Sequence, residues 1–490
     1  RSSRCGGSSM SGPLRRVGIV VLALFMALFI SASWIQVIDA ENIADDDRNV
    51  RKLYESFSAQ RGEIVAGGIP IATSVPVDNQ FKFLRTYPFG ELYAPVVGYY
   101  TLNQGNAGIE SALNPLLTGR ASAQLISKIT SLVTGTSPQG ASVMLTLDPE
   151  IQQVAWDALG DNRGSVIAID PATGRIIAMV STPSFDPNRL ASHSSSSVLS
   201  AYLELAEDPG NPLANRAIAG DQYFPGSVFK VIMAAAALES GRYDASSEFL
   251  NPAQLPLPLS TKAITNSGGA LCGGGETVTL EDAFRLSCNI PFAELGLELG
   301  EAQIASVAES FGFGATLEIP LSITPSSFPR GMDQAQLMLS SFGQFDVRVT
   351  PLQIALISAA IANDGTLMKP TLVDDIIAPN LSIIRSVEPS IYSQPLSAST
   401  ARELTRMMVG NVERGVASGA SILGRGVAGK TGTAETGIGS GRTFWFTGFA
   451  PADSPQVAIA VVIEGDKADG SGNTVAAPIA KAVLEAVMAK

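Results

Sequence analysis

Histidine is almost absent from this sequence. The one histidine, His193, lies in a serine-rich run that extends from Ser192 to Ser200. A serine nucleophile needs a neighbouring base to remove its proton, and a histidine in such a run is a poor candidate for that role. Any serine chemistry in this chain is therefore expected to use a lysine as the base.

Cysteine and positive charge are also scarce. The three cysteines are Cys5, Cys272 and Cys288. Neither their spacing nor the single histidine makes a zinc site, so we expect no metal and no cofactor. The chain carries 33 Lys and Arg against 45 Asp and Glu, a formal charge of -12. Because no basic surplus is available to neutralise phosphates, the composition excludes a nucleic-acid-binding protein.

One long apolar run stands near the N-terminus, from Val17 to Ile38. At the rise of an α-helix it spans roughly 33 Å, enough to cross a bilayer. Arg15 and Arg16 precede it and favour a cytoplasmic N-terminus. A cleaved signal peptide is the alternative, because Ser31–Ser33 resembles a cleavage site, but the run is long for one. We therefore expect a cytoplasmic tail at 1–16, a single transmembrane helix at 17–38, and an extracytoplasmic remainder in the cell membrane.

The chain of 490 residues is too long for one compact core and indicates two or three domains. Residues 40–140 mix short strands with turns, and we interpret them as a β-rich pedestal for dimerisation or interaction. Residues 141–490 begin with two strands, continue through a mostly helical middle, and end with three strands and a helix. This order predicts an α/β (α+β) domain in which helices flank one antiparallel five-stranded sheet.

The extracytoplasmic location changes the interpretation of two cysteines. Cys272 and Cys288 lie sixteen residues apart and can form a disulfide in an oxidising compartment. Two free thiols are the alternative.

The first candidate for chemistry is the stretch from Phe224 to Val231. Pro225 and Gly226 break the chain, and a helix-like apolar run follows them. Ser227 and Lys230 are three residues apart, so both project from one face of the first turn. The positive field of a helix N-terminus favours a serine alkoxide and, like desolvation, lowers the pKa of a nearby lysine. The pair therefore predicts an activated nucleophile, with a helix cap and a chance lysine as the alternative.

The second candidate is the triplet Ser287-Cys288-Asn289, at a turn between two predicted helices. Ser287 is placed to relay a proton between Lys230 and a leaving amine. Asn289 is placed to bind a peptide carbonyl or to hold Lys230. The alternative is that the asparagine simply caps a helix.

The third candidate is Lys430-Thr431-Gly432-Thr433, on a predicted strand. Gly432 has no side chain, so another backbone can approach closely, and a peptide can add to the strand by main-chain pairing. Lys430 supplies positive charge, and the hydroxyls of Thr431 and Thr433 suit a carboxylate. The alternative is an ordinary strand with polar surface residues.

Together and in this order, the three motifs resemble those of class B penicillin-binding proteins, whose set is shared with class A β-lactamases. The similarity extends over nearly the whole chain after residue 40, and an actinobacterial branch with a short chain and a single-pass anchor is the most similar. The further matching segments are Arg61–Ile64, Gly108–Glu110, Thr182–Asn188, Asn215–Ile218, Thr350–Gln353 and Ile361–Gly365. The sequence departs from the class at two places. One is Ala66–Gly68 in the pedestal. The other is Gly343–Phe345, where the class often has Gly-Gln-Gly and where a change can alter the wall of the cleft.

The resemblance implies a penicillin-binding, β-lactamase-like transpeptidase fold and a serine-type peptidoglycan D,D-transpeptidase that β-lactams inhibit. By that resemblance, Ser227 attacks the penultimate D-alanine of a stem peptide while Lys230 takes its proton and Ser287 protonates the leaving D-alanine. The oxyanion lies between the backbone N–H groups of Ser227 and Thr433. Asn289 and the residues Lys430 to Thr433 hold the substrate.

The expected partners follow from the same resemblance. They are stem peptides on lipid-linked precursor strands, β-lactams as inhibitors, a membrane glycosyltransferase, and proteins of the divisome or elongasome. Two alternatives stay open: a β-lactamase or β-lactam sensor, and a scaffold whose motifs are relics. Residues 1–16 are too short for a signalling domain, a pedestal is superfluous in a lactamase, and intact motifs argue against a relic.

Overall fold

The computed structural model describes residues 11–38, 57–119, 121, 139–219, 222–267, 269–317, 319–436, 441–466 and 470–490. Cys5, most of the expected tail at 1–16 and part of the expected pedestal (40–56, 120 and 122–138) lie outside these ranges. The described residues form two compact units, one comprising residues up to 58 with 78–82, the other comprising 59–77 with 83–490.

The first unit contains the N-terminal apolar helix. It runs from Ser11 to Ser33 and continues as a π-helical turn, Trp34–Ile38. Its segment Leu14–Gln36 has a mean hydropathy of 2.4 and none of it is buried in the protein. By length and composition this helix suits membrane anchoring.

The second unit is built around an antiparallel five-stranded sheet, as the sequence predicted. Two early strands join three late ones because Val457–Asp466 pairs with Gly164–Ile169 in the middle of the sheet. Ala428–Glu435, which carries the third motif, is an edge strand. The order across the sheet is Ala428–Glu435, Gly441–Ala450, Val457–Asp466, Gly164–Ile169 and Ile176–Thr182.

Helices cover both faces of this sheet, which explains why its central strands are continuously apolar. On one face, Ala458, Ala460 and Val462 join a core that includes the fully buried helix Pro351–Ala362. On the other, alternate residues of the same strand pack with the helices Pro149–Leu159 and Ala476–Met488. A strand buried on both faces has no polar side to alternate with.

Further short elements surround the sheet. The other described α-helices are Ala94–Val97, Gly108–Ala112, Asn114–Leu117, Ser195–Glu207, Lys230–Glu239, Leu280–Arg285, Ile290–Leu299, Glu301–Ser310, Gln334–Ser340 and Ala398–Arg414. The 3₁₀ turns are Gly90–Leu92, Pro187–Arg189, Gly226–Phe229, Cys272–Gly274 and Ser418–Ala420. Three two-stranded ribbons pair Glu248–Leu250 with Thr277–Thr279, Gln254–Pro256 with Ala263–Thr265, and Leu367–Met368 with Ile391–Ser393.

The pedestal is organised by a six-stranded mixed sheet. Ile64–Ala66 pairs antiparallel with Ile69–Pro76 and forms a hairpin with it. The other edge of Ile64–Ala66 pairs in parallel with Ser142–Leu145, which lies beyond the expected boundary at residue 140. The order is Ile383–Ser386, Val373–Ile377, Ser142–Leu145, Ile64–Ala66, Ile69–Pro76 and Phe83–Thr86. The pedestal sheet is therefore completed by residues from the second half of the chain.

A buried ion cluster joins the elements of the pedestal. The carboxylate of Glu110 is fully buried and pairs with both Arg61 and Arg85, which are also buried. The phenol of Tyr87 donates to the same carboxylate at 3.3 Å. Burial alone would raise the pKa of Glu110, but the two guanidinium groups hold it below its usual range. The cluster fixes the short helix Gly108–Ala112 against the strand Phe83–Thr86.

Candidate active site

Ser227 lies in a tight turn that precedes the buried helix. The turn Gly226–Phe229 is 3₁₀ and the α-helix begins only at Lys230, so Ser227 precedes the α-helix instead of lying in its first turn as predicted. Gly226 has a φ of +53°, a conformation that favours glycine, and this forces the tight start. A side chain at Gly226 would lie 2.7 Å from the carbonyl oxygen of Thr433. The nucleophile turn Gly226–Phe229 and the strand Ala428–Glu435 thus approach each other closely at the backbone, and Ser227 in the turn is half-buried.

Lys230 is completely buried next to the second motif. Its Nζ donates to the carbonyl oxygen of Ser287 and to Oδ1 of Asn289, each at 2.8 Å. Burial, and then the positive charge of Lys430, lower the pKa of Lys230 well below its usual value. A lowered pKa favours the neutral amine, the form of a lysine that can accept a proton.

Ser287 lies between the two lysines. Its hydroxyl is 2.9 Å from Nζ of Lys430 and 3.5 Å from Nζ of Lys230. The residue has a φ of +59°, which is uncommon outside glycine and is typical of strained functional positions. The turn predicted between two helices therefore brings the hydroxyl to the point where it links both amines.

Lys430 is also completely buried. Its Nζ donates to Ser287 and to the carbonyl oxygen of Thr431 at 3.0 Å. Burial lowers the pKa of Lys430 to about 7, so that its charge is sensitive to pH near neutrality. A carboxylate bound beside it would favour the charged form.

The rest of the third motif lies along the edge strand. A side chain at Gly432 would meet the carbonyl oxygen of Pro225 at 2.9 Å and the backbone nitrogen of Val228 at 3.1 Å. The hydroxyl of Thr431 is buried and donates to the carbonyl oxygen of Val416 at 3.2 Å. The hydroxyl of Thr433 is half-buried and accepts from the backbone nitrogen of Gly472 at 3.4 Å. Of the two threonines, Thr433 is the more accessible to a ligand.

Two residues outside the motifs position the nucleophile turn. The indole Nε1 of Trp445 donates to the carbonyl oxygen of Phe224 at 3.1 Å, and the backbone nitrogen of Gly226 donates to the carbonyl oxygen of Gly343 at 2.9 Å. The sequence reasoning missed Trp445. A tryptophan in an apolar strand is a usable signal, because a buried indole N–H needs a partner.

The disulfide lies next to the site, whereas the single histidine lies away from it. The structure joins Cys272 and Cys288 by a disulfide with a Cα–Cα distance of 5.8 Å. Cys288 lies inside the second motif and is fully buried, so the bond ties that motif to the turn Cys272–Gly274. His193 interacts with the main chain of Phe83 in the pedestal, outside the group formed by the two lysines and Ser287.

The arrangement is suited to acyl transfer. A serine in a tight turn, a buried amine of lowered pKa three residues later, and a second hydroxyl hydrogen-bonded to both amines are suited to act as a nucleophile, a base and a proton path. The strand beside them is at the edge of the sheet, where an extended peptide can add by main-chain pairing.

Comparison with known proteins agrees with this chemistry. Residues 164–485 match the penicillin binding protein transpeptidase domain, and residues 61–143 match the penicillin binding protein A dimerisation domain. The chain is 41% identical to the peptidoglycan D,D-transpeptidase PbpA of Mycolicibacterium smegmatis over 98% of this chain and 99% of that protein. PbpA of Mycobacterium tuberculosis is also 41% identical over the same shares.

Solved structures of relatives show the same fold. The ceftriaxone acyl-enzyme complex of penicillin-binding protein A from M. tuberculosis has a TM-score of 0.86 and 40% identity, covering 89% of this chain and 100% of that chain. The imipenem acyl-enzyme complex of the same protein has a TM-score of 0.84 and 40% identity, covering 88% of this chain and 100% of that one. PBP2 of Pseudomonas aeruginosa is more distant, with a TM-score of 0.71 and 28% identity over 87% of this chain and 96% of that one.

Proposed function

The chain belongs to the penicillin-binding protein transpeptidases and is a peptidoglycan D,D-transpeptidase, and on that premise we propose that Ser227 is its acylated nucleophile and Lys230 its general base. The observation that carries the assignment is the state of Lys230. It is fully buried, three residues after Ser227, with a lowered pKa and with two oxygen acceptors that fix its amine.

The reaction then proceeds in two balanced steps. Lys230 accepts the hydroxyl proton as Ser227 attacks the carbonyl carbon of the penultimate D-alanine, and the tetrahedral intermediate expels the terminal D-alanine. Ser287, whose hydroxyl oxygen is hydrogen-bonded to Lys430 and Lys230, gives its proton to the leaving amine and regains one from the protonated Lys230. In the second step the amine of another stem peptide attacks the ester carbonyl. Its surplus proton passes through Ser287 to Lys230, and Lys230 returns a proton to Ser227 as the ester bond breaks and the cross-link forms.

The oxyanion hole consists of the backbone N–H groups of Ser227 and Thr433. Support comes from the close approach of the two backbones, since a side chain at Gly226 would lie 2.7 Å from the Thr433 carbonyl oxygen. One such donor contributes on the order of 3 kcal/mol to the transition state.

The substrate pairs with the edge strand that carries the third motif. Lys430 and the hydroxyl of Thr433 hold the carboxylate of the stem peptide or of a β-lactam. Gly432 leaves room for the nucleophile turn, Thr431 supports the strand, and Asn289 holds Lys230.

The same proposal includes the location and the partners of the enzyme. The apolar helix anchors it once in the cell membrane, with Arg15 and Arg16 on the cytoplasmic side. Residues 40–140 form an interaction pedestal and 141–490 the catalytic domain, a division supported by the two family matches. A glycosyltransferase and proteins of the divisome or elongasome are the partners that deliver glycan strands.

Labelling with a fluorescent penicillin tests the assignment. We expect the full-length chain in detergent to be labelled on the peptide that contains Ser227, and Ser227→Ala to be unlabelled. Lys230→Ala should acylate about a hundredfold more slowly, because general bases contribute that much or more. Ser240→Ala, at the other end of the same helix, is the matched control and should label normally.

Three outcomes would contradict the proposal. Persistent labelling of Ser227→Ala would remove the nucleophile assignment. Rapid turnover of a chromogenic cephalosporin would favour a β-lactamase, and a Ser227→Ala allele that fully restored growth would favour a scaffold.

A further inference from the structure

Asn289, which holds Lys230, is itself held in one orientation. Its Oδ1 accepts from Nζ of Lys230 at 2.8 Å, while its Nδ2 donates to the carbonyl oxygen of Thr265 at 2.9 Å. Rotation of the carboxamide by half a turn would place a donor against a donor and an acceptor against an acceptor. The direction of this one amide therefore fixes an acceptor beside the base.

A second asparagine fixes the backbone at this point. Oδ1 of Asn266 accepts from the backbone nitrogens of Asn289 and Ile290 at 2.8 and 3.1 Å. These N–H groups belong to the start of the helix Ile290–Leu299, whose own N-cap side chain makes no capping bond. The first N–H groups of a helix need partners from outside the helix. Asn266, only 3% exposed, supplies them from a different segment.

A third asparagine fixes the second. Oδ1 of Asn251 accepts from Nδ2 of Asn266 and from the backbone nitrogen of Cys272, both at 3.2 Å. Its Nδ2 donates to the carbonyl oxygens of Cys272 and Gly275, both at 2.7 Å. Asn251 is completely buried, so this network is satisfied without solvent and ends on the backbone next to the disulfide.

We propose that Asn266 is a positioning residue for the acyl-transfer reaction. Asn266 caps the start of helix Ile290–Leu299 and so keeps Oδ1 of Asn289 against Nζ of Lys230. Asn251, in turn, holds Asn266 in place. The proposal rests on the proposed role of Lys230 as the base. Neither Asn266 nor Asn251 bonds to Lys230; both act through Asn289. Loss of the Asn266 amide leaves two backbone N–H groups without an acceptor and lets Asn289 move.

The acylation kinetics of the full-length chain in detergent test this role. Stopped-flow reaction with a fluorescent penicillin separates the dissociation constant of the initial complex from the acylation rate constant at saturation. For Asn266→Ala we expect the rate constant to fall tenfold to a hundredfold, on the order of the effect of a misplaced catalytic group. The dissociation constant should change much less, because the side chain of Asn266 is buried and hydrogen-bonded to Asn251 and to the backbone of Asn289 and Ile290.

Gln152→Ala is the matched control. Gln152 is another fully buried amide with three hydrogen bonds to backbone groups, at Leu92 and Met179, and it is not bonded to the site. Its variant should lose comparable thermal stability and keep the acylation rate constant within about twofold. Parallel losses in the two variants, or a wild-type rate constant in Asn266→Ala, would overturn the proposal.

A conservative variant covers the case in which Asn266→Ala does not fold. In Asn266→Asp the carboxylate still accepts from both backbone N–H groups, and its charge suits a helix N-terminus. Its second oxygen, however, faces Oδ1 of Asn251 at the place where Nδ2 of Asn266 donates, so the bond to Asn251 is lost. We therefore expect a loss of about tenfold or less in the acylation rate constant, and a folded Asp variant with a hundredfold loss would overturn the proposal. Lys230→Ala distinguishes failure of the proposed function from failure of this inference. If Lys230→Ala acylates normally, the general-base assignment fails. If Lys230→Ala is slow and the Asn266 variants are not, only the role of Asn266 fails.

Discussion

At the scale of single residues, the site requires glycine at two positions as well as its polar side chains. Gly226 and Gly432 lack side chains where the nucleophile turn meets the edge strand, and a Cβ on either would lie within 3 Å of a backbone oxygen. Lys230 and Lys430 are buried, and within the described part of the chain their hydrogen-bond partners include no carboxylate. Two cationic side chains in a dry site are costly, and the molecule reduces that cost by lowering both pKa values.

Gly432→Ala should lower acylation more than stability. The new methyl group would press on the carbonyl oxygen of Pro225 and the backbone nitrogen of Val228, so the strand must withdraw from the turn. We expect penicillin acylation to slow at least tenfold, since small displacements of a reacting group are expensive. Gly426→Ala is the control, because its Cβ would meet only Ala452 at 3.3 Å. Equal acylation rates in the two variants would contradict the prediction.

Lys430→Met should stabilise the fold in a pH-dependent way. The pKa of Lys430 is lowered from its ordinary 10.5 to about 7, so the folded state carries a buried charge below about pH 7. Between that pH and 10.5 the lysine is protonated in the unfolded chain and neutral in the folded one. The destabilisation that Lys430 causes is therefore full below about pH 7 and decreases as the pH rises towards 10.5. We therefore expect the Tm of Lys430→Met to exceed that of the wild type more at pH 6 than at pH 9, although substrate binding is lost.

Differential scanning calorimetry at the two pH values measures the effect. Lys481→Met, which replaces a half-exposed lysine on the final helix, is the control and should show no such difference. A Tm gain that is equal at both pH values would rule out a buried charge as the cause.

At the scale of elements, a buried ion cluster joins segments of the pedestal whose apolar residues, among them Ile64, Val96 and Ile109, also pack into the main core. Its helix at Gly108–Ala112 is five residues long, too short to be stable by itself. The fully buried Glu110 binds it to two arginines from different segments. The segment around Glu110 was placed in the pedestal by its position within residues 40–140 and by the resemblance. The ion cluster was not predicted, because an isolated Gly-Ile-Glu has no pattern that reveals one.

Glu110→Gln should destabilise the pedestal strongly. The amide is nearly isosteric but leaves Arg61 and Arg85 as buried cations without a counter-charge. Breaking a buried pair in this way typically costs about 3–5 kcal/mol. Urea unfolding of the full-length chain measures the loss. Glu309→Gln, which breaks an exposed pair with Arg330, should change stability little, and a similarly small loss in Glu110→Gln would contradict the prediction.

At the scale of the whole molecule, the pedestal and the catalytic part share one sheet. Ile64–Ala66 pairs in parallel with Ser142–Leu145, which in turn pairs with Val373–Ile377. The strands of the catalytic sheet are also distant in sequence, since Gly164–Ile169 pairs with Val457–Asp466. Neither part is thus a continuous, self-contained stretch of chain.

Removal of the pedestal should therefore weaken the catalytic part. A fragment of residues 141–490 leaves Ser142–Leu145 without its parallel neighbour and exposes a strand edge, which favours aggregation. We expect its Tm to lie several degrees below that of a fragment of residues 59–490, which keeps the whole second unit. Circular dichroism melting compares the two, and identical melting temperatures would refute the shared-sheet argument.

The sequence by itself determined the features that depend on neighbours along the chain. The apolar run predicted the membrane-suited helix, the spacing of Ser227 and Lys230 placed both on one turn, and the order of strands predicted the five-stranded sheet. Each follows from local periodicity and turn chemistry. The three motifs were recognised because their residue types and order are specific when taken together.

Only the tertiary structure decided how those pieces act on one another. Four features join segments that are far apart in sequence. They are the burial of Lys430 beside Lys230, the position of Ser287 between the two lysines at a positive φ, the cap that Asn266 provides, and the parallel pairing of the pedestal with Ser142–Leu145. The local pattern of the amino-acid sequence does not indicate such contacts. They depend on which surfaces of the folded chain can be buried together without leaving polar groups unpaired.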